Sequence, residues 1–234
     1  MMKVMLVEDD MVIARELAAN LEKWQYQTYI VSDFDQVEAD VVREAPHLIL
    51  MDLNLPAYNG FYWTDRIRRQ SKVPIIFISS VSEPMDMIMA MQMGADDYIT
   101  KPIDMQLTIS KIQALLRRTY DFADQSADQQ FAFAGVRLQP TQSALTYQGQ
   151  TIDLTFTELQ ILISLFRDAG QVVTRHSILD FCWQNDQFID DNTLAVNMSR
   201  IRKKLRSIGL DDLIETKKNM GYRLVDPQAT ADNP

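Results

Sequence analysis

Cysteine and histidine are scarce in this sequence, and their scarcity excludes whole classes of protein. Cys182 is the only cysteine in 234 residues, so no disulfide can form within the chain and a reducing compartment is expected. His47 and His176 are the only histidines, which leaves a catalytic thiol with few bases to activate it. We therefore interpret Cys182 as a small core residue.

Long apolar runs are also absent. No stretch approaches the roughly 18 residues of a membrane-spanning helix, and Met1–Asp10 turns acidic after a short apolar run, unlike a signal peptide. A cytoplasmic protein that does not contact membranes is expected.

Basic residues are outnumbered by acidic ones. The 23 lysines and arginines and the 32 aspartates and glutamates give a net charge of −9. This balance argues against non-specific coating of nucleic acid but permits a local basic patch.

Short apolar runs alternate with amphipathic segments through residues 1–118. The runs, which resemble buried parallel strands, are Lys3–Val7, Thr28–Val31, Leu48–Met51, Ile75–Ile78 and Tyr98–Ile99. The helical candidates that follow them are Met11–Trp24, Phe34–Glu44, Gly60–Gln70, Pro84–Met93 and Asp104–Arg118. Five strand–helix pairs in strict alternation predict an α/β fold, a doubly wound parallel five-stranded domain with helices on both faces.

The pattern changes after a polar, acidic segment at 119–130, which we interpret as a linker. Short antiparallel strands are predicted within Phe131–Asp153 and a terminal pair within Leu213–Val225. Three helices are predicted between them, at Thr155–Asp168, Thr174–Trp183 and Asp191–Ser207, the first with a capping box from Thr155 and Glu158. This order predicts a smaller winged helix-turn-helix domain over 131–226, followed by a disordered tail at 227–234.

Polar side chains follow four of the predicted parallel strands, at the edge where functional groups collect in such sheets. They are Glu8-Asp9-Asp10, Asp52, Ser79-Ser80 and Thr100-Lys101-Pro102. Three carboxylates in one pocket repel one another unless a cation lies among them, and oxygen ligands suit Mg²⁺. Asp52 is then the candidate nucleophile for an acyl phosphate, with Lys101 and a hydroxyl group to hold phosphoryl oxygens.

Residues 3–118 resemble the receiver domain of bacterial response regulators. The matching words are LVEDD (6–10), LILMDLNLP (48–56), PIIFISS (74–80) and GADDYITKP (94–102), together with Gly60. The resemblance implies the strand order 2-1-3-4-5 and a phosphoacceptor at Asp52. It further implies the Mg²⁺ ligands Glu8, Asp9, Asp52 and the backbone carbonyl of Asn54, the phosphoryl contacts Ser79 and Lys101, and the switch residue Tyr98.

Receivers that are joined to winged-helix domains usually dimerise through the fourth helix, fifth strand and fifth helix, using charged pairs. By the resemblance, Asp97 and Lys111 suit such a pair, whereas Met87 and Leu107 stand where relatives often carry an arginine and a glutamate. The fourth helix has methionine at alternate positions from 85 to 93, which cannot all face a core. Two interpretations stay open: core plus tolerated surface methionine, or an apolar dimer interface in which Met87 packs against Leu107.

The predicted helix 191–207 combines an apolar stripe with a basic face. The stripe is Leu194, Met198, Ile201 and Leu205. Roughly opposite it, the sequence places Thr193, Val196, Asn197, Arg200, Lys203 and Lys204, flanked by Arg202 and Arg206. Every charge within Arg200–Arg206 is basic, whereas a solvated face usually mixes signs. The face therefore suits contacts to phosphates and base edges, and Lys217 and Lys218 suit a wing that touches the DNA backbone.

Residues 131–226 resemble the effector domain of OmpR/PhoB-type regulators, in LTFTELQIL (154–162), VVTRHSIL (172–179), TLAVNMSRIRKKL (193–205) and ETKKNMGYRL (215–224). The resemblance implies base proximity for Thr193, Val196, Asn197 and Arg200, and contacts to the backbone or minor groove for Arg202, Lys203 and Lys218. It implies that the loop Cys182–Asp191 contacts RNA polymerase. Relatives often carry Arg-Gly-Thr where this chain has Lys218-Asn219-Met220, which leaves the wing conformation in question. Segment 78–102 is similar to the antimicrobial-peptide-sensing, BceR/GraR-like subgroup.

These features predict a phosphorylation-dependent transcriptional regulator and not an enzyme. A histidine kinase would phosphorylate Asp52, two receivers would pair, and the pair would bind repeated half-sites in promoter DNA. The first alternative, a phosphatase of the haloacid dehalogenase type, needs an aspartate two positions after the nucleophile, where this chain has Asn54. The second alternative is a constitutive DNA binder with a vestigial receiver, against which the complete acidic pocket argues.

Overall fold

The computed structural model describes residues 1–80, 84–121, 131–183 and 191–227, without the side chains of 84–88, 118 and 121. The chain divides into two compact units, Met1–Phe122 and Ala123–Pro234. Within the described ranges no helix is both long and apolar enough to cross a bilayer.

The first unit is built around a parallel sheet of five strands in the order β2-β1-β3-β4-β5. The strands are β1 (Lys3–Val7), β2 (Gln27–Ile30), β3 (Leu48–Asp52), β4 (Ile75–Ser79) and β5 (Asp97–Thr100). All five residues of β3 and of β4 are buried, as expected of central strands covered by helices on both faces. The doubly wound fold predicted from the sequence is confirmed, including its strand order.

Five helices connect or follow these strands: α1 (Met11–Lys23), α2 (Val37–Glu44), α3 (Gly60–Arg68), α4 (Pro84–Met93) and α5 (Met105–Leu116). Asp10 and Asp104 each accept two backbone N–H hydrogen bonds at the starts of α1 and α5, which satisfies donors that a helix start leaves open. Helix α2 begins at Val37 and not at the predicted Phe34. The side chain of Asp33 accepts from Asp35 N at 3.0 Å, and such a turn competes with helical bonding.

The second unit combines two antiparallel sheets with three helices. Strands β6 (Phe131–Phe133), β7 (Val136–Gln139), β8 (Ala144–Tyr147) and β9 (Gln150–Asp153) pair in sequence order, and β10 (Val173–Thr174), β11 (Ile214–Lys217) and β12 (Gly221–Leu224) pair as β10-β12-β11. The helices are α6 (Phe156–Arg167), α7 (Arg175–Trp183) and α8 (Asp191–Arg206). This is the predicted winged helix-turn-helix architecture, with the β11–β12 hairpin as the wing.

A single apolar cluster fills the second unit. The α8 residues Leu194, Met198, Ile201 and Leu205 are at most 1 % exposed and belong to this cluster, which confirms the predicted stripe. Cys182 belongs to it too and is buried, in agreement with its interpretation as a core residue. The capping box of Thr155 and Glu158 at the start of α6 is also present.

Three predicted segments lie wholly or largely outside the described residues. The predicted linker starts at 119, but a π-helix continues α5 through Arg117–Asp121, and 122–130 are not described. The loop assigned to RNA polymerase falls mostly within 184–190, and the predicted tail within 228–234. These interpretations stay predictions.

Candidate functional site

The predicted acidic pocket forms at the carboxyl edge of the first sheet. Since β1, β3, β4 and β5 are successive neighbours in the sheet, the residues that end them lie side by side. Glu8 follows β1, Asp52 and Ser79 end β3 and β4, and Lys101 follows β5. All of these are buried except Lys101, whose side chain is 15 % exposed. The fold therefore brings together groups that are up to 93 positions apart in the chain.

Lys101 joins the two buried carboxylates of the pocket. Its Nζ donates to Asp52 Oδ2 at 2.6 Å and to Glu8 Oε1 at 2.9 Å. The backbone N–H of Asn54 donates to the other oxygen of Asp52, Oδ1, at 3.0 Å. The side chain of Asp52 is thus held at both oxygens, in a fixed orientation at the end of its strand.

Burial and charge shift the acid–base properties of this group. Desolvation raises the pKa of Glu8 to about 7, assisted by the charge of Asp52 and opposed by Lys101. Desolvation acts to lower the pKa of Lys101, but its hydrogen bonds to Asp52 and Glu8 outweigh this and raise the pKa overall. Lys101 therefore stays cationic, and its one positive charge faces more negative charge than it can neutralise.

The pocket fits a divalent cation. One oxygen each from Glu8, Asp9 and Asp52 lies within 4.8 Å of the others, a spacing that one small ion can bridge. Glu8 Oε2 is buried and accepts no hydrogen bond, although it lies 2.9 Å from Lys101 Nζ. An unused buried carboxylate oxygen beside an exposed one from Asp9 is a suitable start for the oxygen ligand set of Mg²⁺.

Gly60 permits a close approach of backbone to the phosphoacceptor candidate. Its N–H donates to Leu53 O at 3.0 Å. A Cβ at this position would overlap the carbonyl oxygen of Asp52 and touch the ring of Phe77. Glycine is thus required for steric reasons at the start of α3, and through this contact it fixes the loop that follows Asp52.

The predicted switch and dimer residues lie beside the pocket on β5 and α5. Tyr98 is 6 % exposed, so its ring is packed inside the first unit. Lys111 Nζ donates to Asp97 Oδ1 at 2.9 Å, and both side chains are buried. The predicted charge pair therefore forms within one chain. Leu107 is 43 % exposed, whereas the side chain of Met87 lies outside the described residues.

Exposure along α8 corrects the face assigned from the sequence. Thr193 is 4 % exposed and Asn197 is fully buried, with Asn197 Nδ2 bonded to Thr193 O at 3.0 Å. These two side chains flank the apolar stripe and are not opposite it. Asn192, Ala195 and Ser199 are exposed positions that sequence reasoning missed. Those it included are the exposed Lys203 and Arg206 and the half-exposed Val196, Arg200, Arg202 and Lys204. On a helical wheel with 100° per residue, Val196 and Lys203 lie opposite the stripe, whereas Asn197 lies beside it.

Several basic side chains of α8 are bonded within the second unit. Arg202 donates to Ile214 O at 2.9 Å and to Thr216 Oγ1 at 2.7 Å, which ties α8 to the wing. Lys204 donates to buried Glu158 at 2.6 Å. Lys203, by contrast, is exposed on α8 and Lys218 is exposed at the wing tip.

The wing closes without the glycine that relatives often carry. Asn219 adopts a left-handed backbone with φ of 60°, a conformation that asparagine tolerates better than most residues. Met220 N then donates to Lys217 O at 3.0 Å and closes the turn. Asparagine thus replaces glycine at the hairpin tip.

Comparison with known proteins decides the family. The profile of the response regulator receiver domain matches residues 4–113, and that of the C-terminal domain of transcriptional regulatory proteins matches 149–224. The response regulator protein GraR of Staphylococcus saprophyticus is 40 % identical over 223 residues, which cover 94 % of this chain and 98 % of GraR. The chain belongs to the two-component response regulator family.

Two further relatives support this result. The sensory transduction protein BceR of Halalkalibacterium halodurans is 38 % identical over 222 residues, covering 95 % of this regulator and 96 % of BceR. The solved structure of a RitR mutant has a TM-score of 0.81 over 97 % of this chain and all of its own, at 22 % identity, which shows the fold alone. Similarity to GraR and BceR agrees with the subgroup suggested by segment 78–102. A response regulator of this family has a cognate histidine kinase and promoter DNA as partners, and its receiver binds Mg²⁺ at an acidic pocket.

Proposed function

We propose that this response regulator is switched by phosphorylation of Asp52 and then binds repeated promoter half-sites as a dimer. The receiver would span 1–118 and the DNA-binding domain 131–226. The observation that carries the proposal is the bridge from Lys101 to both Asp52 and Glu8, with Asp9 within metal-sharing distance. This arrangement supplies a nucleophile, a cation-binding oxygen set and a phosphate-binding ammonium in one pocket.

The phosphoryl group would come from the kinase histidine. An oxygen of Asp52 forms the new bond to phosphorus as the phosphorus–nitrogen bond breaks, and the histidine leaves as neutral imidazole after taking up a proton. Glu8, Asp9, Asp52 and the backbone carbonyl of Asn54 would hold Mg²⁺, which when bound neutralises charge on the phosphoryl oxygens. Lys101 is already in place to contact one of these oxygens, because it lies 2.6 Å from Asp52 Oδ2.

Phosphorylation would be transmitted to β5 through two buried residues. Ser79 is fully buried at the end of β4, and its carbonyl accepts from Lys101 N at 2.8 Å. Movement of Ser79 towards a phosphoryl oxygen would leave space into which the ring of Tyr98 turns. The result would be a repacked face of α4, β5 and α5 through which two receivers pair, with Leu107 and Met87 in contact.

The paired regulators would present two copies of α8 and the wing to DNA. On α8, Val196, Arg200 and Lys203 lie at or next to the exposed face, and Arg202 connects that face to the wing. Lys218 would contact the DNA backbone or minor groove from the wing tip. The region 182–191 would contact RNA polymerase, and the cytoplasm is the compartment in which kinase, promoter and polymerase meet.

The test uses the full chain with Mg²⁺ and acetyl phosphate. Peptide mass spectrometry should find one phosphoryl adduct on Asp52, and light scattering after size exclusion should show a monomer converting to a dimer. Asp52→Asn should abolish both changes. Asp65→Asn, at an exposed aspartate that pairs with Arg69 at 2.6 Å on the surface of α3, is the matched control and should change neither.

Each other outcome would redirect the assignment. An adduct without dimerisation would retain the phosphoacceptor and reject the pairing. No adduct at all would reject the switch and favour the constitutive DNA binder, and continuous hydrolysis of phosphate esters would favour the phosphatase alternative.

A further inference from the structure

Glu158 is a fully buried carboxylate in the first turn of α6. It completes the capping box there: its Oε2 accepts from Thr155 N at 2.8 Å, and its own N–H donates to Thr155 Oγ1 at 3.4 Å. A capping box does not need a charge at this position, because glutamine can make the same hydrogen bond. The negative charge of Glu158 therefore has a separate consequence.

Two cationic side chains of α8 are directed to this charge. Lys204 Nζ lies 2.6 Å from Glu158 Oε2 and also donates to Asp153 O at 2.9 Å. Arg200 Nε lies 3.9 Å from Glu158 Oε1, an oxygen that accepts no hydrogen bond. A buried carboxylate is unfavourable without compensating charge, so Lys204 is held on the α6 side of α8 by a hydrogen-bonded ion pair, and Arg200 is attracted to the same side at a longer distance.

The other cations of α8 are also engaged, with one exception. Arg202 is bonded to the wing and Arg206 Nε lies 2.7 Å from Asp211 Oδ1. Among the described contacts of the five cationic residues of this helix, only Lys203 has no internal acceptor. Within the basic segment 200–206, Glu158 therefore compensates the charge of Lys204 by direct contact and that of Arg200 in part, at 3.9 Å.

We propose that Glu158 is a positioning residue that withholds Lys204, and in part Arg200, from DNA phosphates and thereby limits sequence-independent affinity. The proposal rests on the DNA-binding function above. Sequence-independent binding comes almost entirely from cations that neutralise phosphates, and its salt dependence counts them: each phosphate neutralised contributes about 0.9 to the slope of log affinity against log salt. A cation that is kept from the DNA phosphates lowers the sequence-independent affinity for DNA and leaves the contacts to bases intact.

The experiment measures binding of the full chain to a random-sequence duplex over a series of salt concentrations. In Glu158→Gln the capping hydrogen bonds persist but the charge is lost, so Lys204 becomes available to a phosphate. The slope should become steeper by about 0.9. Thr155→Ala is the matched control, because it weakens the same cap and leaves the charge of Glu158 in place. It should lower thermal stability without changing the slope.

A second variant keeps the inference testable if Glu158→Gln is unstable. In the otherwise unaltered chain Lys204→Gln should leave the slope unchanged, since this lysine is already withheld. In the Glu158→Gln background the same substitution should reduce the slope by about 0.9. A loss of about 0.9 in the unaltered chain, or an unchanged slope in Glu158→Gln, would overturn the inference. Failure of the unaltered chain to bind duplex DNA at low salt would instead contradict the proposed function.

Discussion

The charge of Glu8 depends on what occupies the acidic pocket. Without a metal its pKa is raised from 4.5 to about 7, so between these values the folded chain binds more protons here than the unfolded chain. The stability that this group contributes is therefore present at low pH and is lost as the pH rises towards 7. Mg²⁺ requires the ionised carboxylate and should reverse that trend.

The first prediction concerns this competition between Mg²⁺ and a proton. With a pKa of about 7, Glu8 is roughly nine-tenths protonated at pH 6 and one-tenth at pH 8. The apparent affinity for Mg²⁺ should therefore rise about tenfold between these values, as measured by calorimetric titration of the full chain. In Glu8→Gln the affinity should be weak and nearly independent of pH. A tenfold rise that persists in this variant would assign the titration to another group.

Single residues were predictable from the sequence where the backbone alone fixes their position. Glu8, Asp52 and Lys101 follow short apolar strands, and parallel strands deliver their carboxyl ends to one edge. The burial of Thr193 and Asn197 was not predictable in this way. The four apolar stripe residues indicate a narrower buried face of α8 than the rest of the domain covers. The charge partner of Lys204 was equally hidden, since Glu158 is 46 positions away in the chain and was visible only as a capping residue.

Helices and strands were predictable from the sequence where the hydrophobic periodicity and the capping or turn residues indicated the same boundaries. The capping box predicted the start of α6, and both ends of each of the five parallel strands were predicted to within one residue. Helix α2 started three residues late because the side chain of Asp33 bonds locally and stabilises a turn. The sequence predicts a linker from residue 119 because the segment is polar, whereas a π-helix extends to Asp121. The contact that anchors this π-helix joins the hydroxyl of Tyr120 to the carbonyl of His47 at 2.9 Å. It spans 73 positions, so local sequence does not reveal it.

The wing depends on a glycine where β12 approaches β10. Gly221 begins β12 and pairs with Thr174 of β10, and a Cβ there would overlap the carbonyl oxygen of Val173. Gly221→Ala should separate these strands and lower the free energy of unfolding of the winged-helix domain by about 1–3 kcal/mol. Affinity for duplex DNA should fall, whereas phosphoryl incorporation at Asp52 should not change. Chemical unfolding followed by fluorescence, with DNA titration, measures these effects.

Gly149 offers a control of the same chemistry in the same domain. It has φ of 81° at the β8–β9 turn, and no atom lies within 4 Å of where its Cβ would stand. Gly149→Ala should therefore cost about 1–2 kcal/mol of backbone strain while the wing keeps its geometry. If both variants lost the same affinity for DNA, general destabilisation and not wing geometry would explain the result.

At the scale of the whole molecule, the division into two units was predictable because composition and periodicity change together near 119–130. The surface for the proposed pairing of two receivers was not predictable, because it depends on which side chains remain available after each receiver has folded. Asp97 and Lys111 were assigned to a charge pair between subunits, yet within one chain they form a buried pair at 2.9 Å. Breaking a buried pair costs about 3–5 kcal/mol, so the described contacts favour apolar packing as the source of dimer affinity.

Leu107 is the exposed apolar residue of α5 that tests this mode of pairing. Its side chain is 43 % exposed, and Met89 on α4 is 48 % exposed, so both are available to a second receiver. Leu107→Lys should place two ammonium groups at or near the dimer axis and weaken the phosphorylated dimer at least about tenfold, since burying an unpaired charge costs more than the 1.4 kcal/mol that this factor represents. Val42→Lys, at a 65 % exposed position of α2, is the control and should leave the dimer intact. Sedimentation equilibrium with beryllofluoride measures the dimer dissociation constants of both variants. Because neither residue touches the acidic pocket, an adduct on Asp52 should form in both.

An unweakened Leu107→Lys dimer would place the pairing surface elsewhere on the receiver. It would also restore the charged pair as a candidate, and Asp97 and Lys111 would then have to exchange their internal contact for one across the interface.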